Sequence, residues 1–292
     1  MKIGVMGTGL MGAPMALTLV AAGHEVWAHN RTPARLEPLA QAGISVCQTP
    51  SELVIAVEVI IVMVTNAQAI QTLLLDDLET AAAAALAGRT IIQMGTIAPA
   101  ESQMFHQRLT AAGATYLEAP VLGSIPEAKT GQLIVMVGAE ADQYQRWQPL
   151  LASLGKTYHT GPVGTAAALK LAMNQLIGGL TAAFAQSLGL VQQSGLEVET
   201  FMAVVRQSAL YAPTFDKKLG RMQSRNFAEP NFPTRHLLKD MNLFIDAAQT
   251  AGLDTRPAEG VRQVLDAAVQ AGLADDDYAA LFNIVSPSRE AG

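Results

Sequence analysis

The segment GTGLMG, Gly7 to Gly12, restricts the possible folds of this chain more than any other stretch. It follows a short apolar run, Lys2–Met6, that reads as a buried strand, and it opens a helical pattern from about Leu10 to Ala22. Each glycine has a separate steric task. Gly7 permits a tight turn, Gly9 lets backbone approach a pyrophosphate, and Gly12 lets the helix pack close to the strand. With Thr8, Leu10 and Met11 between them, they set unpaired N–H groups and the positive end of a helix dipole where phosphate would sit. Pro14 falls in the first turn, where its missing N–H is tolerated. Gly23 stops the helix and Glu25–His29 reads as the second strand, which completes a βαβ unit able to bind a dinucleotide.

The residues after that second strand indicate which dinucleotide. A unit that takes NAD usually carries Asp or Glu there for the adenosine ribose, whereas this chain has Asn30, Arg31 and Thr32. A carboxylate would repel a 2′-phosphate, but Arg31 can bind one, and Asn30 and Thr32 can donate hydrogen bonds to it. The expected cofactor is NADP(H), the competing reading being that Arg31 is a solvated loop residue.

Composition narrows the class. The 292 residues, half of them hydrophobic, suffice for two domains with separate cores. A net charge of −6 and a pI near 5.4 argue against a nucleic-acid or anionic-membrane partner, since both need a basic face. The single Cys47 excludes an internal disulfide, no Cys/His cluster has metal-ligand spacing, and His24, His29, His106, His159 and His236 are scattered and read as structural. The first strand starts at Lys2, which leaves no room for a signal or transit peptide and predicts a cytosolic protein. Gly164–Ser194 is rich in Ala, Leu and Gly but contains Lys170, Asn174, Gln175 and Gln186. It therefore lacks the ~18 uninterrupted apolar residues of a membrane span and reads as a buried helix.

Up to about residue 160, short apolar runs alternate with helical segments. The predicted strands are Lys2–Met6, Glu25–His29, Ile44–Val46, Val59–Val64, Thr90–Gln93, Thr115–Glu118, Leu133–Val137 and Thr157–His159. This alternation predicts an α/β, Rossmann-type dinucleotide-binding domain over 1–163, with a mostly parallel sheet and helices on both faces. Gly161, Pro162 and Gly164 mark the boundary, and 164–292 reads as an all-α domain with breaks near Gly195, Pro213, Pro230 to Pro233, Gly252 and Gly272. At ~1.5 Å per residue the 164–194 helix would span ~46 Å, enough to bridge both domains. Ala81–Ala85 reads as helix, Asp275–Asp277 as a solvated turn, and Pro287–Gly292 as a loose tail.

Lys170 and Asn174 lie four apart on that helix and share one face. A lysine in so apolar a helix is costly unless it reaches water, a counter-charge or a ligand, so it either does chemistry or snorkels at an edge. Three further segments bear on that choice: Gln93–Ile97 (QMGTI), at the carboxyl end of a predicted strand where open α/β folds bind ligands; Glu118–Gly131 (EAPVLGSIPEAKTG); and Phe232–Asp240 (FPTRHLLKD). Ser124 and Glu127 form an S-x-x-E capping box. Gly123 and Ser124 also offer backbone N–H groups to an anion.

With GTGLMG, MGTI, EAPVLGS followed by AKTGQL, GTAAALKLAMN and the Phe232/Lys239/Asp240 set in this order, the chain resembles the β-hydroxyacid dehydrogenase family nearly end to end. That family includes 3-hydroxyisobutyrate dehydrogenases, tartronate semialdehyde reductases and glyoxylate/succinic semialdehyde reductases. The resemblance implies NADP-linked reduction of a short aldehyde acid, with Lys170 as electrophile and general acid for the oxygen that becomes an alkoxide. It gives Asn174 the orientation of that oxygen or its neighbour, and Gly123 and Ser124, beside Leu122, the substrate carboxylate. Thr96 falls near the nicotinamide ribose, Met63 and Val64 fall on the cofactor, and Lys239 adds positive charge beside the cofactor or carboxylate. Asp240 and Phe232 form the second domain's wall. The resemblance further implies a site between the domains and a homo-oligomer, dimer or tetramer, formed through the helical halves.

Two departures from the family pattern stand out: Leu122 replaces a common Ser, and Gly95 replaces another. Together with Asn30-Arg31-Thr32, the EAPVLGS form is more similar to the glyoxylate/succinic semialdehyde reductase branch, which forms glycolate and 4-hydroxybutyrate, than to the 3-hydroxyisobutyrate or tartronate semialdehyde enzymes. Imine reductases share the two-domain plan but generally lack lysine at the position of Lys170. A non-catalytic NADP-binding module would not need Lys170 and Asn174. Removing the Arg31 guanidinium, in Arg31→Ala, is expected to weaken NADPH binding by about tenfold or more while barely affecting NADH. Fluorescence titration of both cofactors checks this, and equal losses would remove the 2′-phosphate assignment.

Overall fold

The computed structural model describes residues 1–78 and 80–287. The chain divides into two compact units, one from Met1 to Lys170 and one from Leu171 onward.

In the first unit β1 (Lys2–Met6), α1 (Gly12–Ala21), β2 (Glu25–His29), α2 (Glu37–Gln41), β3 (Ser45–Val46), α3 (Pro50–Ala56) and β4 (Val59–Val62) come first. After them follow α4 (Ala67–Gln71), α5 (Thr80–Ala85), β5 (Thr90–Gln93), α6 (Pro99–Ala111), β6 (Thr115–Glu118) and β7 (Val121–Leu122). The unit ends with α7 (Ile125–Lys129), β8 (Leu133–Gly138), α8 (Ala141–Ala152), β9 (Gly155–Gly161) and the start of α9 (Thr165–Gln193). The strand order is β3-β2-β1-β4-β5-β6-β8-β7, with β9 on β8. Its first six strands are parallel, in the order of a Rossmann sheet. β8 runs antiparallel to β6 and β7 and parallel to β9.

Side-chain alternation explains why these strands read as continuous apolar runs. Ile3, Val5, Val59, Ile61, Ile92 and Leu117 point to one face, where Met15, Ala16 and Leu19 of α1 cover them. Met6, Ile60, Val62, Ile91 and Tyr116 point to the other, against Leu53 and Val54 of α3 and Phe105 and Leu109 of α6. With both faces covered, neither set of alternate positions has to be polar.

The strand limits differ from the sequence expectation where this pattern fades. β4 stops at Val62, so Met63 and Val64 lie in the loop beyond it; β3 starts at Ser45; β8 runs on to Gly138; and β9 extends on both sides of Thr157–His159. β9 has side chains that are half-exposed or exposed beyond its first residue, so its sequence lacks an apolar stripe. β7 was not expected, since two residues are too few to show a period.

α9 has 29 residues, ~44 Å of helix. The second unit contains its continuation from Leu171, then α10 (Val198–Gln207), α11 (Pro213–Ser224), α12 (Thr234–Thr250), α13 (Arg256–Gln270), a 3-10 turn (Tyr278–Leu281) and α14 (Phe282–Val285). Phe184, Leu188, Met202, Phe215, Met222, Leu237, Met241, Leu265 and Phe282 form its core. Gly195, Pro213, Pro233, Gly252 and Gly272 all fall at or between helix ends. Among the described residues no helix is long and apolar enough to cross a membrane. Of the tail expected to be loose, Pro287–Gly292, residues 288–292 lie outside the described residues.

The expected solvated turn at Asp275–Asp277 is corrected at its last residue. Asp277 is fully buried. Both its oxygens accept from Lys218 Nζ, at 2.7 and 2.9 Å, and Oδ1 also accepts from the Ala279 N–H. Lys218 Nζ lies 4.1 Å from the centre of the Tyr278 ring. The sequence concealed this pair because its members are 59 residues apart. Asp277→Ala would leave the Lys218 ammonium buried without a counter-charge, and the expected loss of unfolding free energy in urea is about 3–5 kcal/mol. An unchanged urea midpoint would show that the pair contributes nothing to this unit's stability.

Candidate active site

β1 runs into Gly7, whose φ of +94° is a left-handed conformation that favours glycine. A Cβ there would lie 2.4 Å from the Met63 carbonyl oxygen, and a Cβ on Gly12 would lie 1.9 Å from that of Gly7. Both glycines are therefore demanded by the protein's own backbone. Gly9 is not, because the nearest atom to a Cβ there is Arg35 Nη1 at 3.5 Å. Space left open over the middle glycine, with a guanidinium beside it, fits the pyrophosphate of a dinucleotide. Thr8 is 3% exposed and its Oγ1 is buried without a hydrogen-bond partner, a second polar group in this turn that a ligand would satisfy.

Asn30 also has a structural task. Its Oδ1 accepts from the Thr8 N–H at 3.1 Å and its Nδ2 donates to the Thr32 carbonyl at 3.1 Å. It ties the glycine turn to the end of β2. Arg31 and Thr32 are exposed beyond it, as is Arg35 in the 3-10 turn Pro33–Arg35. Arg35 had no place in the sequence reading, because its approach to Gly9 arises only once the loop folds.

Met63, Val64, Thr96 and the loop at Gly123 and Ser124 follow β4, β5 and β7, and the first three join the glycine turn at the carboxyl edge of the parallel sheet. Val64 and Thr96 are half-buried. Gly95, in place of a common Ser, has a steric reason: a Cβ there would stand 2.4 Å from the Val64 carbonyl oxygen. Gly123 holds φ +118°. Ser124 caps α7 with its backbone N–H and Oγ both donating to Glu127 Oε2, at 2.7 and 2.8 Å. A substrate carboxylate at Ser124 would meet the Glu127 charge, so the cap and the anion role compete for the same donors.

Lys170 is half-buried on α9, the last residue of the first unit. Asn174, one turn further and 1% exposed, donates from Nδ2 to Asp240 Oδ2 at 2.6 Å. An ionised carboxylate only accepts, which fixes the amide with Nδ2 toward Asp240 and Oδ1 away from it. That Oδ1 is buried with no hydrogen-bond partner. Asp240 is itself 2% exposed, and its Oδ1 is 2.9 Å from Lys239 Nζ. Burial pushes the neighbouring His236 imidazole below its usual range, and the charges of Arg235 and Lys239 push it the same way. Phe232 packs edge-on against Tyr278, ring centres 5.7 Å apart. Among the described residues no group of His, Cys, Asp and Glu could hold a metal ion.

Residues 2–164 match the NAD binding domain of 6-phosphogluconate dehydrogenase, and residues 164–285 the NAD-binding domain of NADP-dependent 3-hydroxyisobutyrate dehydrogenase. The chain is 31% identical to the chloroplastic glyoxylate/succinic semialdehyde reductase 2 of Arabidopsis thaliana, over 99% of this chain and 81% of that one. It is 27% identical to the NAD-dependent L-serine dehydrogenase of Pseudomonas aeruginosa, over 99% of each. Among solved structures, 3-hydroxyisobutyrate dehydrogenase of Mycobacterium tuberculosis with L-serine superposes at a TM-score of 0.87 and 25% identity, covering 97% of this chain and 98% of that one. A Rossmann unit with a ligand-shaped glycine turn, followed by a helical unit of matching family, leads to one conclusion: the chain belongs to the β-hydroxyacid dehydrogenase family and is an NAD(P)-dependent oxidoreductase.

Proposed function

We propose that the enzyme reduces short aldehyde acids, glyoxylate to glycolate and succinic semialdehyde to 4-hydroxybutyrate, with NADPH as the reductant. The observation that carries this reading is the Asn174 amide, which Asp240 orients so that a buried acceptor oxygen remains unused one turn from Lys170. The glycine turn, with Arg35 beside it, would hold the dinucleotide, and NADPH bound there would supply a hydride for the carbonyl carbon. Lys170 donates a proton to the carbonyl oxygen as negative charge develops there. Asn174 Oδ1 accepts from the lysine ammonium or from the new hydroxyl and holds the proton on the reacting side.

The Arg35 guanidinium stands beside Gly9, and Arg31, with no acidic residue next to it, follows β2 directly; this favours a 2′-phosphate over a bare ribose. Because Glu127 takes the Ser124 donors, the Gly123 backbone is the group on this loop left for the substrate carboxylate. Leu122, lacking a hydroxyl, offers an apolar wall to a chain of methylenes. The reading has the chain acting in the cytosol as a homo-oligomer, for which the exposed Leu176, Leu180 and Leu190 on α9 supply apolar surface.

Lys170→Ala is expected to lower kcat by roughly 100-fold or more while leaving NADPH binding intact, because the lost contact is made chiefly in the transition state. Oxidation of NADPH and NADH is followed against glyoxylate, succinic semialdehyde, tartronate semialdehyde and methylmalonate semialdehyde. Turnover of the first two with NADPH supports the assignment, and preference for either of the others moves it within the family. Full turnover in Lys170→Ala would overturn the mechanism.

A further inference from the structure

Glu118 ends β6 and is 1% exposed, yet none of the chemistry above uses it. Its Oε1 accepts three backbone N–H groups, from Gly164 at 2.8 Å, Ala166 at 2.8 Å and Ala167 at 3.1 Å. These N–H groups belong to the opening of α9, where a helix has donors but no partners of its own. A capping side chain normally comes from the residue just before the helix and takes one such donor. Here one oxygen takes three, from a strand 46 residues earlier in the chain. A negative charge at this end also complements the helix dipole.

The surroundings are shaped for that carboxylate. Gly138, paired with Glu118 across β6 and β8, leaves the space it fills, since a Cβ there would stand 2.4 Å from Oε1. Gly164 turns into the helix at φ +104° and presents its N–H. Burial pushes the Glu118 carboxyl up, while the nearby Ser102 hydroxyl and the three N–H groups hold it toward the charged form.

Lys170 follows Ala167 by three residues, ~4.5 Å along the axis. Three donors of the first turn converge on one oxygen, which fixes where that turn sits against β6 and so the point from which Lys170 leaves the helix. We propose that Glu118 is a positioning residue for the reaction: by gripping the first turn of α9 it fixes the place from which the Lys170 ammonium meets the substrate oxygen. This rests on Lys170 as the proton donor of the preceding subsection.

The test uses Glu118→Gln and Gly138→Ala in the full chain, with Lys170→Ala alongside. Gly138→Ala leaves the carboxylate chemically intact but denies it its place. Steady-state reduction of glyoxylate and succinic semialdehyde, NADPH titration and amide exchange at Gly164, Ala166 and Ala167 are measured on each variant. The expected result is a fall in kcat of roughly 10- to 100-fold in both, as for a displaced catalytic group, with KM and NADPH affinity unchanged and the three amides exchanging faster. Full kcat in either folded variant, with those amides deprotected, would overturn the proposal, because a merely structural cap could be lost without a change in kcat. If Glu118→Gln does not fold, Gly138→Ala decides by the same criterion. Full turnover in Lys170→Ala sinks the underlying mechanism, whereas loss there with full turnover in the other two variants sinks this inference alone.

Discussion

The approach of Gly12 to the Gly7 carbonyl, where a Cβ would have only 1.9 Å of room, holds the start of α1 against the end of β1. The carboxyl edge of the sheet follows from that contact. Gly7 in turn lies against the Met63 carbonyl, so the loop beyond β4 is fixed to the same turn, and Gly95 fixes the loop beyond β5 to Val64 by an equally close approach. Three loops from separate strands are thus locked by backbone contacts that exclude side chains. Close packing of this kind transmits displacement with little slack, and it leaves Gly9 as the bare position available to a ligand.

Buried polar groups make up the second layer of organisation. Glu118, Asp240 and Asp277 are almost completely buried, and each is matched to donors from an element distant in sequence: the first turn of α9, the Asn174 amide and the Lys218 ammonium. Burying a carboxylate is tolerated only when such partners are supplied. The partners therefore fix geometry that apolar packing alone would leave free to slide. Asp240 determines which atom of Asn174 faces away, and Glu118 determines where α9 begins.

Much of the first unit was legible in the sequence. Doubly covered strands such as Val59–Val62 and Thr90–Gln93 are uninterrupted apolar runs, glycines mark their turns, and each belongs to a local pattern of a few residues. The edge strand β9 and the two-residue β7 were hard to delimit because one lacks an apolar stripe and the other is shorter than any period. The GTGLMG turn and the Lys170/Asn174 spacing were readable for the same local reason. The Ser124–Glu127 cap was equally local, whereas Arg35 beside Gly9 needed the folded loop.

The sequence by itself determined the order of elements, the dinucleotide-binding turn and the face shared by Lys170 and Asn174, because each is set by steric rules acting within a turn or two of chain. Tertiary structure alone decided that Asn30 would brace the glycine turn, that Asp277 would be buried against Lys218 and that Glu118 would cap a helix from another element. Those outcomes depend on which groups meet after the chain folds. A carboxylate's environment, unlike a helix period, carries no mark in its neighbours along the chain.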